Sequence, residues 1–469
     1  MKQLSNASYK RIIQRRDPRY DGRFYCGVTT TMIYCRPICP AKPKFRNIEI
    51  FKSPSAAEKA GYRACLRCRP DLAPGCKNLD TGKMFVSNAL RLIEENTSNN
   101  QSVKMLAQIL GLSDRHLRRI FEKHLGASPI EIMRTQKLHL AKQLVQETDK
   151  PIGEIAYATG FNSVRRFNEI FKTTYKVPPT EFRKKKIILA HQQDEILLSM
   201  IVRKPYDFKN VLSFLKRHAA YGIEKVDNRC YKRYIPNKIS YSTLTVTINT
   251  AQDALQLRLK NCELNQICEI LVKTKRLFDV DHNPAHLPRS IPSQQAGLRV
   301  PGSFDPFEVA VSIIISQLIS IKQASQKLSE LIRQFGTAIN NKTIYAFPAP
   351  ETLMNAEIET IGITKNKGNA IRTLSAMVHD EIFHFRYSSD VLETRKCLLS
   401  IKGIGPWTTE MIMMRCFNDA DAFPESDLIV KRALEQKLVD EPLWQTNHSY
   451  LTHYIWNEFA KSLSNRKKL

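Results

Sequence analysis

The spacing of apolar residues shows one pattern twice. SVKMLAQILGLSDRHLRRIFEKHLGASP runs from Ser102, and PIGEIAYATGFNSVRRFNEIFKTTYKVPP from Pro151. Each copy predicts a short apolar-periodic helix, a glycine turn, a polar cap (Ser113 or Asn162) and a second, amphipathic helix. Gly111 and Gly160 lie 49 positions apart; Phe121 and Phe171, like Pro129 and Pro179, lie 50 apart. Leu117, Ile120, Phe121, Phe167 and Phe171 fall on the core face. Arg115, His116, Arg118 and Arg119 in the first copy, and Ser163, Arg165, Arg166 and Asn168 in the second, fall on the outer face.

The grammar then changes. YSTLTVTI, Tyr241–Ile248, alternates as a strand does, and Phe208–His218 reads as a helix, so this region mixes α and β. Further on, an apolar segment leads into Lys402-Gly403-Ile404-Gly405-Pro406, and Thr408 to Arg415 form a helix. Two glycines, a proline and a helix start predict a tight hairpin between helices. Its backbone amides are open to a phosphate, because glycine adds no side chain to block the approach. Asp427 follows 22 positions after Gly405, with Glu425 as a nearby alternative carboxylate. The longest apolar runs, such as Val309–Ile315 interrupted by Ser312, are far shorter than the roughly 18 residues of a membrane span. The opening MKQLSNASYKRIIQRRD lacks the apolar core of a signal peptide.

Length and charge sharpen this picture. A chain of 469 residues predicts about three domains. The fold class expected is multidomain, mainly α with α+β parts. Lys and Arg number 72 against 45 Asp and Glu, a net charge of +27. So basic a chain expects polyanions, nucleic acid before anionic membrane. Eleven cysteines, an odd number with no export signal, point to reduced thiols in the cytoplasm. Four of them fall as Cys35-x3-Cys39 and Cys65-x2-Cys68, with 25 residues between the pairs. Two close pairs suit one tetrahedral zinc site, and a purely structural zinc knuckle is the plainer form of that reading. Arg36, Arg46, Arg63, Arg67 and Arg69 surround it, either as a solvated face or as phosphate contacts. Cys26 and Cys76 lie outside the pattern. Cys230, Cys262, Cys268, Cys397 and Cys416 show no ligand spacing.

Three resemblances follow from these residues. DGRFYCGVTTTMIYCRPICPAKP and AEKAGYRACLRCRPD resemble the methylphosphotriester repair domain of the Ada type. That likeness implies that Cys35 accepts a methyl group from the DNA backbone. The tandem repeat is similar to the AraC/XylS DNA-binding domain, which implies that Arg115, Arg118, Arg119, Arg165 and Arg166 face DNA. The hairpin with Asp427 resembles the helix-hairpin-helix DNA glycosylases, nearest to the 3-methyladenine DNA glycosylase II (AlkA) type. RLFD at Arg276–Asp279 and LRVPGSFDPFE from Leu298 match that family's blocks.

The glycosylase likeness implies roles for further residues. Asp427 would stabilise the developing sugar cation, and Lys402, Gly403 and Gly405 would hold a phosphate. Gln317-Leu318 would wedge into the duplex, and Trp407 and Trp456 would line the base pocket. Met411 stands where the family commonly has a pocket tyrosine, which leaves base preference open. Trp407 also occupies the place of the lyase branch's Schiff-base lysine, implying a monofunctional enzyme. No cysteine follows Cys416, so no iron–sulfur cluster is expected. The expected division is 1–78 zinc methyl-acceptor domain, 79–186 tandem helix-turn-helix, 187–300 α/β subdomain and 301–469 catalytic domain, with a linker near 184–196. The expected partners are double-stranded DNA and RNA polymerase, and the chain is expected to act as a cytoplasmic monomer. The alternative is an activator whose glycosylase half only binds DNA. An alkylguanine methyltransferase PCHRV motif does not occur.

Overall fold

The computed structural model describes residues 5–17, 20–41, 43–65, 67–68, 70, 81–95, 102–184, 195–237, 240–288, 291–292, 295–340, 343–386, 391–439, 444 and 447–466. Arg69, Cys76 and most of the linker near 184–196 lie outside these.

The first 70 residues build a small sheet with two helices. α1 (Asn6–Arg15) is followed by β1 (Tyr25–Val28), β2 (Ile33–Cys35), β3 (Ile48–Phe51), α2 (Pro54–Lys59) and β4 (Arg63–Ala64). The strand order is β3-β1-β2-β4, with β2 and β4 parallel and the other pairs antiparallel. These short strands place Cys35 at the end of one and Cys65 just after another.

Helices follow: α3 (Thr81–Glu95), α4 (Val103–Ile109), α5 (Asp114–Leu125), α6 (Pro129–Glu147), α7 (Ile152–Ala158), α8 (Val164–Tyr175) and α9 (Pro179–Lys184). The repeat is therefore two helix-turn-helix units joined by the long α6. Leu117, Ile120, Phe121, Phe167 and Phe171 are buried, as their spacing required. The cap of the second recognition helix differs from expectation. Ser163, not Asn162, caps α8 and accepts from the Arg166 amide, as Ser113 accepts from the His116 amide in α5. The second turn holds one more residue between glycine and cap. This is why the glycines repeat at 49 and the phenylalanines at 50.

The next unit is a five-stranded antiparallel sheet flanked by helices. It contains β5 (Glu195–Ile201), α10 (Phe208–His218), β6 (Glu224–Val226), β7 (Tyr231–Pro236), β8 (Tyr241–Asn249), β9 (Ala254–Lys260) and α11 (Leu264–Leu277), in strand order β5-β9-β8-β7-β6. The last unit is mostly helical. It runs through α12 (Pro306–Ser316), α13 (Ile321–Phe335), the hairpin β10 (Thr337–Asn340) and β11 (Ile344–Ala346), α14 (Pro350–Met354), α15 (Lys365–His379), α16 (Val391–Ser400), α17 (Pro406–Cys416), α18 (Leu428–Glu435) and α19 (His448–Arg466). The predicted helix after the hairpin thus begins at Pro406, whose fixed φ suits a first turn.

The units share cores. One buried cluster runs from Tyr25, Tyr34 and Phe51 through Leu138, Phe167 and Phe171 to the sheet residues Leu198, Leu244 and Leu257. A second fills the helical unit around Val311, Ile314, Leu331, Ile371 and Ile412. Polar contacts reinforce the seams. Gln143 Nε2 donates to the Ser199 carbonyl at 3.0 Å, and Arg276 on α11 pairs with Glu95 on α3. No described helix is long and apolar enough to cross a membrane.

Candidate functional sites

The first site is the cysteine cluster. The sulfurs of Cys35, Cys39, Cys65 and Cys68 all lie within 4.8 Å of one another. Zinc–thiolate bonds of about 2.3 Å in a tetrahedron place sulfurs about 3.8 Å apart, so this donor set fits a single zinc ion. The Arg36 amide donates to Cys68 Sγ at 3.4 Å. Cys35, Cys39 and Cys68 are buried, and Cys65 is the more exposed sulfur. Cys26 sits opposite Cys35 in the β1–β2 register. Burial, reinforced by the nearby Cys39, pushes its thiol up to about 12, so it stays protonated.

The arginines expected around the cluster, as a solvated face or as phosphate contacts, need one correction. Arg36 is buried, and its guanidinium is held by both carboxylate oxygens of Asp21 and by the Cys68 carbonyl. It braces the cluster and does not face solvent. Arg46 and Arg67 are exposed, and Arg63 is half-buried.

The second site gathers around Asp427, which caps α18. Its Oδ1 accepts from the amides of Ile429 and Val430 at 3.0 and 3.2 Å. Those bonds are an ordinary helix cap. Two further donors are not part of a cap. Trp456 Nε1 reaches Oδ1 at 3.2 Å, and Trp407 Nε1 reaches Oδ2 at 3.3 Å. The indoles come from α19 and from the first turn of α17. Together they hold the carboxylate by one oxygen each. Oδ1 already has three donors, so Oδ2 is the oxygen with capacity for a substrate. Glu425, the alternative carboxylate, is exposed, and both indole N–H groups donate to Asp427 instead.

The hairpin lies at the start of α17. Gly403 has φ +97°, and a Cβ there would meet the Asn366 carbonyl at 3.0 Å. Glycine is required by both backbone and space. A Cβ on Gly405 would meet nothing within 4 Å, so the amides beyond it are approachable. Lys402 beside them is exposed. Met411, one turn into the same helix, is buried in the second core.

Gln317 and Leu318 separate sharply. Gln317 Nε2 donates to the Gly403 carbonyl at 2.9 Å and to Thr408 Oγ1 at 2.8 Å, tying the end of α12 to the hairpin. Leu318, in the left-handed region at φ +56°, is fully exposed. An aliphatic residue in that conformation and that setting is unusual, because it costs backbone strain and exposes apolar surface. Lys367, which the sequence gave no reason to single out, is buried and donates to the Ile315 carbonyl at 2.9 Å, closing the last turn before the Leu318 loop. On the helix-turn-helix units, Arg115, Arg118, Arg119, Arg165 and Arg166 are all exposed; Arg118 pairs with Asp114 and Arg165 with Glu169.

Comparison with known proteins places the three kinds of unit in known families. The metal-binding domain of Ada matches residues 8–71, a helix-turn-helix domain 106–185, and the AlkA N-terminal domain 197–305. A probable bifunctional transcriptional activator/DNA repair enzyme AlkA from Mycobacterium tuberculosis is 30% identical over 472 residues, covering 95% of each chain. The chain belongs to this AlkA family of bifunctional activator and repair proteins. DNA-3-methyladenine glycosylase 2 of Escherichia coli is 25% identical over 264 residues, covering 54% of this chain and 94% of that one. The solved 3-methyladenine DNA-glycosylase of Archaeoglobus fulgidus overlays with a TM-score of 0.46 at 18% identity, over 55% of this chain and 96% of that one. The AlkA-family chain therefore carries an Ada-type zinc domain, a DNA-binding helix-turn-helix domain and a DNA glycosylase half, and DNA is its partner.

Proposed function

We propose that the protein accepts methyl groups from DNA phosphotriesters at Cys35, activates transcription in the methylated state, and excises alkylated bases such as 3-methyladenine with Asp427. The observation that carries the enzymatic reading is the carboxylate of Asp427 held by two indole N–H groups. The arrangement suits a cationic substrate. Ring-nitrogen alkylation makes a purine positive, and indole faces attract cations by about 0.5–2 kcal/mol. Trp407 and Trp456 then bind the everted base, with Met411 behind them, while Oδ2 of Asp427 faces the sugar. As the N-glycosidic bond breaks, its electron pair leaves with the base. The carboxylate stabilises the oxocarbenium-like sugar until water adds. No amine stands at position 407, so the product is an abasic site.

Leu318 fills the gap left by the everted base, offsetting part of the unstacking cost, and Gln317 holds that loop to the hairpin. Lys402 and the amides around Gly403 and Gly405 hold a backbone phosphate. In the N-terminal half, Cys35, Cys39, Cys65 and Cys68 would hold a zinc ion, which would supply the positive charge that keeps their sulfurs as thiolates. The Cys35 sulfur attacks the methyl carbon of the phosphotriester; an S–C bond forms, the C–O bond breaks, and the phosphodiester leaves as an anion. Four thiolates on Zn²⁺ carry a formal −2, and methylation leaves −1, so repulsion of DNA falls and affinity rises. The half-buried Cys65, more accessible than the other three, is the alternative acceptor. Arg115, Arg118, Arg119, Arg165 and Arg166 contact the promoter, and RNA polymerase is the downstream partner of a cytoplasmic monomer.

The test is release of free base from methylated duplex. Wild type is expected to release 3-methyladenine and Asp427→Asn to be slower by about 10²–10³-fold, the usual cost of losing a preorganised electrostatic group. Equal rates, or no release by wild type with DNA binding intact, would leave a regulator with an inactive second half.

A further inference from the structure

The zinc cluster and the helix that carries Trp456 are joined by a continuous buried polar seam. It begins at Cys68, whose sulfur and carbonyl both accept from Arg36. Arg36 is clamped by Asp21, and both are buried. The Asp21 carbonyl accepts from Arg203 Nε at 2.8 Å, across the boundary into the α/β unit. Arg203, 1% exposed, also donates to the Asp281 carbonyl at 2.7 Å. Its own carbonyl accepts from Arg299 Nη2 at 2.8 Å, and Arg299 is 2% exposed. Arg299 immediately precedes Val300, whose amide donates to Asp279 Oδ2 at 3.2 Å. The same oxygen accepts from Tyr450 Oη at 2.7 Å, and Tyr450 stacks on His282 with ring centroids 3.9 Å apart. Tyr450 lies on α19, two turns before Trp456.

Three arginines this deeply buried are unusual, since Arg is rarely buried without specific partners. Here they bond backbone carbonyls at the junctions between units, so each fixes where one segment sits relative to the next. Two are also laid against aromatic rings or a carboxylate: Arg299 lies 4.6 Å from the Tyr206 ring centroid, and Arg36 is on Asp21. Arg36 is held from both ends, by the cysteine cluster and by Asp21. A change at the cluster reaches Asp21 through a group that has no solvent to relax into.

We infer that the zinc cluster and the Trp456–Asp427 contact are energetically coupled through Arg36, Asp21, Arg203, Arg299, Asp279 and Tyr450. The state of the metal cluster then sets how firmly α19 holds its indole against the carboxylate. This makes the N-terminal domain a regulator of base excision as well as of transcription. It rests on the reading of Trp456 and Asp427 as the excision site only for its functional consequence; the coupling itself is a property of the fold.

The experiment is hydrogen exchange on the full-length protein without DNA, zinc-loaded and after chelation with EDTA. Segments 203–207 and 448–457 are followed, with α13 as a reference outside the seam. Chelation is expected to raise exchange in 448–457 by about fivefold, the low end of usual site-to-site couplings, and to leave α13 unchanged. In Tyr450→Phe, which removes only the hydroxyl that reaches Asp279, the 448–457 response is expected to disappear while the 203–207 response remains. Asp21→Asn, which keeps the shape of the side chain, is expected to reduce both responses, because coupled groups give non-additive effects. An unchanged α19 in wild type, an equal rise in Tyr450→Phe, or a rise of the same size in α13 would overturn the inference. If the α19 response holds while Asp427→Asn leaves base release untouched, the coupling stands and the excision reading falls.

Discussion

The two reactive centres are built in opposite ways. The cysteine cluster is closed: four sulfurs from two short stretches of chain, three of them buried, with Arg36 and Asp21 packed behind. The Asp427 site is assembled from three helices distant in sequence: the starts of α17 and α18 and the middle of α19 each supply one group. A thiolate that reacts once needs shielding from other electrophiles and a metal to hold its charge. A carboxylate that turns over needs an entry for the base, a fixed orientation, and a wedge to keep the base out of the stack. In the proposed function, the exposed Leu318 and the buried Cys35 answer these two demands.

Stripping the metal should separate the two centres most strongly. Zinc on four thiolates contributes on the order of 10 kcal/mol to a domain this small. Limited proteolysis after chelation is expected to cut within residues 20–70 and leave the glycosylase half uncut. Identical cleavage with and without chelator would remove the contrast.

A pH effect of a few kcal/mol is expected behind the Asp427 site. His453 packs at a tilt against the rings of Phe214 and Trp456, and His218 stacks on Phe214. Burial, with Arg415 nearby, pushes His218 down to about 3 and holds His453 well below its ordinary value. Both imidazoles are neutral in the fold and gain protons on unfolding below about pH 6.5. Stability from these groups is therefore complete above pH 6.5 and lost as pH falls toward 3, by up to about 1.4 kcal/mol per pH unit for each. Urea midpoints measured between pH 7 and 5 should fall in wild type and fall less in His453→Phe; equal slopes would contradict the assignment.

Leu318→Ala comes next. Loss of the wedge is expected to lower kcat/KM for base release about tenfold, a fraction of the unstacking cost. The thermal midpoint should not move, because the side chain packs against nothing. A fall in the midpoint without loss of activity would make Leu318 structural. The smallest effect is expected at Arg166→Ala, which should reduce the salt dependence of promoter binding by about one unit of slope and leave base release unchanged.

What the sequence made legible was local. Cysteine pairs announce a metal because ligand spacing is a property of one or two turns of chain. The two helix-turn-helix units and the strand at Tyr241 were legible from periodicity, and Asp427 from its distance to the hairpin. The misplaced cap at Asn162 shows the limit: a one-residue difference in a turn moved the cap to Ser163. Contacts between distant segments were not legible. Arg36 reads as a surface charge until Asp21 is seen against it. For Lys367, Arg203 and Arg299, nothing local in the sequence says which carbonyls they will meet. The indoles at 407 and 456 could be paired with a base pocket by resemblance. That both donate to one carboxylate is a fact of three-dimensional placement.

One measurement tests the contrast between the centres most directly: protein methylation and free base, counted together per chain, during incubation with excess methylated duplex. The closed site is expected to take up a single methyl group, mapped by mass spectrometry to the Cys35 peptide, and then stop. The Asp427 site is expected to continue, releasing many bases per chain. An adduct on another cysteine, methyl uptake beyond one group per chain, or no base release at all would contradict the account.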